Sequence, residues 1–329
     1  MSAVYPRRVN FIAAKKFFYE RPLGSILRLA RAIPKALLEP DLTSTMTSLR
    51  TLRKGAILSL FPEGQITLSG EFLTPSFSVA KLLKKAAVPV YIVKHINPYL
   101  VNPPWNKKSY RGRITTEVYE LYTAEQLATL TEQEIYDEVY KALHHNPFVE
   151  NKVKRQKYRV KELTDIDLIL YECPVCKDET LSYRKKTIFC TSCDYERTLD
   201  PYWQFGDTNF YELYLAQEQT MENKMKQDKN FSLKSFVTLE SFRGDEIVTV
   251  GHGTFKMTLD AYYFSGEIDG YTTELKFLPQ HVPSLPSDTG QNAQIYQNGQ
   301  LYQFVFSDPK LPVKFRMFSE INYRLKGYK

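Results

Sequence analysis

Apolar positions in the first half of the chain switch repeatedly between helical and strand-like spacing. Residues 17–38 place Leu23, Ile26, Leu27 and Ala30 at helical intervals and predict an amphipathic helix interrupted by Pro22 and Pro34. Two short apolar runs, 56–61 and 88–93, have the length and β-branched content of buried strands, with 76–85 as a helix between them. Thr131 and Glu134 form a capping box ahead of Ile135, Val139 and Leu143, so a helix closes this region near Asn146. A further helix is expected over 209–226, and beyond it the pattern changes to β. Residues 236–239, 247–250, 254–259 and 262–264 are strand candidates separated by Gly or Asp. Asn298-Gly299 between 295–297 and 300–302 predicts a hairpin, because both turn positions need positive φ. A short helix over 315–325 ends the pattern.

At 329 residues the chain is long enough for two or three domains. The 20 Phe and 23 Tyr favour a folded, aromatic-packed chain over a disordered one. No window approaches the roughly 20 apolar residues of a bilayer-spanning helix, and the first residues lack the order of a signal peptide. Charge adds location. Residues 1–35 hold Arg7, Arg8, Lys15, Lys16, Arg21, Arg28, Arg31 and Lys35 against Glu20 alone, in a chain of net charge +7. A second run, Lys152, Lys154, Arg155, Lys157, Arg159 and Lys161, precedes the first cysteine. Such runs suit phosphorylated substrates, anionic lipid head groups or nucleic acid; a solvated face and a charged linker are the plainer alternative.

Cys173 and Cys176 form one CxxC pair, Cys190 and Cys193 another, with 13 residues between the pairs. Two thiolates on each of two turns can converge on one ion, the all-sulfur tetrahedral arrangement of structural zinc. Disulfides and a CxxC redox pair compete with that reading, but a redox pair does not need a second copy. Thr187-Ile188-Phe189-Cys190 resembles the strand that delivers the second pair in a zinc ribbon. With four sulfurs on the ion no coordination position stays open, so the expected role is to organise a small module.

Phe61-Pro62-Glu63-Gly64, after an apolar strand and the lead-in Leu52-Arg53-Lys54-Gly55, resembles the third motif of the lysophosphatidate and glycerol-3-phosphate acyltransferase family. Upstream, residues 11–18 followed by Pro22-Leu23-Gly24 and Ala32-Ile33-Pro34-Lys35 look like that family's second motif. Downstream, Val88-Pro89-Val90-Tyr91-Ile92-Val93 is similar to the fourth. The resemblance implies acyl transfer from an acyl thioester, acyl-CoA or acyl-ACP, to the hydroxyl of a lysophospholipid or glycerol phosphate. It places Lys15 and Lys16 at the acceptor phosphate, and Phe61, Pro62, Glu63 and Gly64 along the acceptor pocket. Two departures stand out. Gln65-Ile66 follow the third motif where Thr-Arg is common. No histidine precedes Phe61, and none of His95, His144, His145, His252 and His281 heads the His-x4-Asp that supplies the family's base. The missing motif is expected just upstream of Met1, with residues 1–6 as the end of the helix that follows it. As printed, the chain is expected to be inactive or weakly active; His95 is a conceivable but poor substitute base.

The expected architecture is a partial α/β acyltransferase-fold domain over 1–150, a basic linker over 151–165, a four-cysteine zinc ribbon over 166–202, a connecting helix over 203–230 and a mainly antiparallel β domain over 231–329. That last domain resembles the PH-like or GRAM-like class. The leading expectation is a bacterial acyltransferase held at an anionic membrane surface on its cytoplasmic face. A catalytically inactive lipid- or protein-binding member of the fold is the main alternative, and a nucleic-acid module at the ribbon is the less favoured one.

Overall fold

The computed structural model describes residues 9–38, 41–244 and 246–328. The expectations for residues 1–8, including Arg7 and Arg8, fall outside the described residues. The N-terminal region opens with β1 (Val9–Ala14), a 3-10 turn at Lys15–Phe18, α1 (Leu23–Leu29), β2 (Ile33–Lys35), α2 (Leu42–Arg53) and β3 (Ile57–Ser59). Strand β1 lies between β2 and β3 in a parallel sheet, with Ala14 opposite Lys35 and Phe11 opposite Ser59. The single helix expected over 17–38 is therefore corrected to a turn, a short helix and a strand. Pro34 cannot continue a helix, and the buried Ile33 instead pairs beside Ile12.

Next come α3 (Ser78–Ala86), β4 (Val90–Ile96), α4 (Pro98–Val101), β5 (Thr115–Tyr122), α5 (Ala124–Thr129), α6 (Glu132–Leu143) and α7 (Pro147–Lys154). Strand β4 pairs antiparallel with β5 in a sheet of its own, apart from the β1 sheet. The capping box at Thr131 and Glu134 forms as the sequence predicts. Helix α7 starts where the Asn146 side chain accepts from the backbone N–H groups of Phe148 and Val149. The expected boundary at 150 thus falls inside a helix, and residues 156–163 are not a free linker. Backbone N–H groups of Tyr158, Arg159 and Leu163 donate to Pro201, Arg111 and Lys185, and Tyr158 and Leu163 are buried.

The cysteine module is a three-stranded antiparallel sheet, β6 (Leu181–Arg184), β7 (Thr187–Cys190) and β8 (Glu196–Thr198). A two-stranded hairpin, β9 (Gln204–Phe205) and β10 (Thr208–Asn209), leads into α8 (Phe210–Gln227), capped by Asn209 and Glu212. The C-terminal region contains β11 (Ser232–Arg243), β12 (Glu246–Thr258), β13 (Tyr262–Ile268), β14 (Tyr271–Phe277), β15 (Ser287–Asp288), β16 (Asn292–Gln297), β17 (Gln300–Phe306) and α9 (Leu311–Leu325). Its seven strands form one antiparallel sheet in the order β14-β13-β12-β11-β17-β16-β15. The two strands expected at 247–250 and 254–259 are one continuous β12. Its glycines mark close strand approach rather than a turn: a Cβ on Gly251 would sit 1.8 Å from the Glu267 carbonyl oxygen. Helix α9 covers the sheet with Phe315 and Phe318, and Phe255 stacks on Phe304 at 3.9 Å between centroids.

One buried apolar cluster runs from Leu68 and Phe148 through the cysteine module and α8 into the C-terminal sheet. Its seam is aromatic. Trp203 is fully buried among Trp105, Tyr110 and Phe148, with ring centroids 5.8–6.3 Å apart, and Phe210 stacks on Phe148 at 5.4 Å. Truncating Phe148 to Ala is expected to cost ~3–5 kcal/mol. Because the cluster is shared, urea unfolding should remain a single transition at a lower midpoint, read by far-ultraviolet circular dichroism.

Beside this seam His145 is buried. Its Nε2 accepts from the Asn97 backbone N–H at 3.1 Å, and its Nδ1 meets the Glu150 carboxylate. Burial holds its pKa below the ordinary value despite Glu150. A depressed folded pKa gives stability that is complete above the unfolded value of about 6.5 and is lost as pH falls through the folded value. Denaturant midpoints should therefore fall as the medium is acidified below that value, and His145→Gln should flatten this part of the profile.

Candidate functional site

Parallel pairing in the N-terminal sheet brings the two candidate loops to one edge. Strands β1 and β3 run in the same direction, so the Lys15–Phe18 turn and the segment after Ser59 both leave from their C-terminal ends. In open α/β sheets this is the edge where ligands are held. Phe61 is 62% exposed there, and Pro62 is half-buried. Gly64 adopts φ 70°, with its N–H donating to the Phe61 carbonyl at 3.2 Å, which makes a tight turn that favours glycine. The Glu63 carboxylate turns inward and accepts from the Leu73 N–H at 2.9 Å; burial raises its pKa, and this hydrogen bond opposes the rise in part.

The two lysines diverge. Lys15 is half-buried, with its ammonium 5.3 Å from the centre of the Phe242 ring. Lys16 is 5% exposed and pairs at 2.5 Å with Asp288 of the C-terminal sheet, so the expectation of a cation free for phosphate is corrected for this residue. Lys16 and Phe18 are the two buried residues of the turn, so the Lys16 side chain lies inside, where Asp288 meets it. Register adds a second cation, which the sequence placed only in the basic run and the second motif: Lys35 ends β2 opposite Ala14, at the same edge as Lys15.

The C-terminal region also reaches this edge, which no sequence motif signalled. Ser284 Oγ lies 3.1 Å from Gln65 Oε1 and 2.7 Å from Glu320 Oε1, and the buried Arg316 holds Glu320 at 2.8 Å. Residues 284–288 therefore touch both candidate loops, Gln65 through Ser284 and Lys16 through Asp288. His95 sits elsewhere, exposed on β4, with Nδ1 2.9 Å from Thr116 Oγ1.

The four cysteines do converge. Their sulfurs all lie within 4.8 Å of one another, and Cys173–Cys193 and Cys176–Cys190 are each 3.6 Å apart. Tetrahedral bonds of ~2.3 Å put sulfurs about 3.8 Å apart, whereas a disulfide needs about 2.0 Å. All four thiols are free of disulfides. The donor set fits a thiophilic ion, and the surroundings favour the thiolate at one of the four. Thr180 Oγ1 lies 3.3 Å from Cys190 Sγ, the Ser192 N–H donates to the same sulfur, and these contacts draw the Cys190 thiol down to about 6. Burial pushes Cys173 the other way. Cys176→Ala should abolish retention of a single metal ion per chain, measured by elemental mass spectrometry after gel filtration.

No curated protein and no solved structure matches the chain. The family model described as Acyltransferase matches residues 1–95, the segment that holds both candidate loops.

Proposed function

We propose that the N-terminal domain transfers an acyl group from an acyl thioester to the hydroxyl of a lysophospholipid or glycerol phosphate. The observation that carries this reading is the meeting of the Lys15 turn and the Phe61–Gly64 turn at one edge of a parallel sheet, within the segment that matches the acyltransferase model. In the reaction the acceptor oxygen forms a bond to the acyl carbon, the carbon–sulfur bond breaks, and the hydroxyl proton passes through a base to the departing thiolate. Lys15 and Lys35 hold the acceptor phosphate through charge-assisted contacts. Phe61 and Pro62 line the pocket beside the acceptor chain, and Glu63, anchored to Leu73, sets the shape of the loop. The printed sequence contains no His-x4-Asp, so the base is not assigned.

The ion of the cysteine module is zinc in this reading, with a purely structural role in a zinc-ribbon module, because four thiolates leave it no open position. The C-terminal sheet, closed by α9, belongs to the PH-like class; its strand order, with β11 between β12 and β17 and a terminal helix across the sheet, supports that class. The protein works at an anionic membrane surface on the cytoplasmic side. A second reading, a non-catalytic lipid-binding member of the fold, is favoured by one observation: Lys16 is already neutralised by Asp288.

A thioester assay separates the two. With acyl-CoA or acyl-ACP as donor and lysophosphatidate or glycerol phosphate as acceptor, the purified chain should release thiol only slowly, since it carries no His-x4-Asp base, and that slow release should depend on the acceptor. Lys15→Ala should lower kcat/KM about 10–100-fold for phosphorylated acceptors, the effect of losing a contact worth ~1.5–3 kcal/mol. Acceptor binding with no acceptor-dependent thiol release would leave the second reading in place of the first.

A further inference from the structure

Outside the candidate site, the backbone builds a small ribbon that carries only positive charge on one face. Arg159 pairs with Arg111 in an antiparallel bridge, its N–H donating to the Arg111 carbonyl at 2.8 Å. Antiparallel register then sets Lys157 opposite Arg113, and Gln156 Nε2 donates to the Arg113 carbonyl at 3.1 Å. The two-residue alternation of extended chain puts Gly112 and Tyr158 on one face, where the Tyr158 ring turns inward. Tyr158 is buried, and a Cβ on Gly112 would lie 2.2 Å from its ring. The same alternation turns Arg111, Arg113, Lys157 and Arg159 to the opposite face, and all four are exposed.

Like charges directly opposite on paired strands repel, and a fold normally places carboxylates among them. Here no carboxylate among the described residues lies within ion-pair distance of any of the four. Beside the ribbon is a cleft of about 360 Å³, whose lining includes Lys157, Tyr158, Arg159, Lys186 and Asp200. Its one carboxylate, Asp200, is occupied in accepting from the Tyr202 and Gln204 N–H groups. The aromatic rings nearby are also taken: Tyr158 is buried, and Tyr202 lies under the Arg155 guanidinium at 4.3 Å. Stacked bases would need such rings to be open. Exposed aliphatic side chains are present instead. Helix α7, which runs directly into the ribbon, exposes Val149 and, one turn on, Val153, the latter 82% exposed.

We propose that this cationic ribbon is the surface by which the protein docks on an anionic lipid bilayer, with head-group phosphates between the four side chains and in the cleft beside Lys186. The proposal deepens the membrane part of the reading above and rests on that part only, since the ribbon is separate from the candidate acyl-transfer edge.

Co-sedimentation of the full chain with phosphatidylcholine vesicles, with and without phosphatidylglycerol, tests it. Binding should require phosphatidylglycerol. Each cation near such a surface contributes ~1 kcal/mol, so R111Q, R113Q, K157Q and R159Q should each weaken partitioning roughly fivefold. Lys256→Gln with Lys276→Gln, on the C-terminal sheet, should leave it within about twofold, since neither lies on the ribbon. The quadruple ribbon variant should melt at or above the temperature of the parent chain, because repulsion has been removed; a lower melting temperature would mark the charges as structural and overturn the proposal. Equal binding to neutral vesicles, tighter binding to a single-stranded oligonucleotide, or saturation by inorganic phosphate with no preference for vesicles would each overturn it too. Transfer to water-soluble glycerol phosphate should be the same in parent and variant. Vesicle binding is read without any acyl donor, so a failed transfer assay and a failed docking assay remain distinguishable.

Discussion

The aromatic seam around Trp203 holds the regions of this chain together. Trp105 and Tyr110 come from the connection after β4 and Phe148 from α7, yet their rings meet at one buried indole, and Phe210 from the first turn of α8 packs on Trp105 and Phe148 behind them. Each ring removes a large apolar surface from water, and their edge-to-face and offset contacts add directionality to that burial. The backbone is bent to suit. Trp203 adopts φ 65°, a conformation costly for a bulky residue, in a turn where Asp200 accepts from the Tyr202 and Gln204 N–H groups. With that ring in place, the cysteine module is packed between the N-terminal and C-terminal regions instead of being tethered beside them.

Charge completes what apolar packing begins at the other junction. Lys16 is nearly buried at the end of the N-terminal turn, and its ammonium has Asp288 as its partner. Burying a cation without an anion is costly, so this pair selects one relative placement of the two regions more than it adds stability. Ser284, between Gln65 and Glu320, fixes the same placement from the neighbouring loop. The edge that carries the candidate acceptor pocket is thus shaped in part by residues more than two hundred positions away in sequence.

Much of the local structure was legible. The capping box at Thr131, the hairpin at Asn298-Gly299, the helices near 78–86 and 210–227 and the cysteine cluster each follow from interactions a few residues apart. The failures share a cause. Residues 17–38 have helical spacing, but Ile33 finds a better partner in Ile12; Gly251 and Gly253 read as punctuation, but they let β12 and β13 approach. The basic run near 157 reads as a linker, but Tyr158 and Leu163 bury themselves and stitch it to Arg111, Lys185 and Pro201.

By itself the sequence determined the chemistry available: four thiols at the spacing of one ion, a lysine pair and a Phe-Pro-Glu-Gly turn each following a strand, and a β-rich end. Caps, turns and paired thiols are short-range, and their energies depend on neighbours along the chain. Only the tertiary structure decided which lysine is neutralised, which faces the candidate edge, and where Arg111 meets Arg159. Those outcomes depend on strand register and on which apolar side chains win a buried position, and both are properties of the whole packed chain.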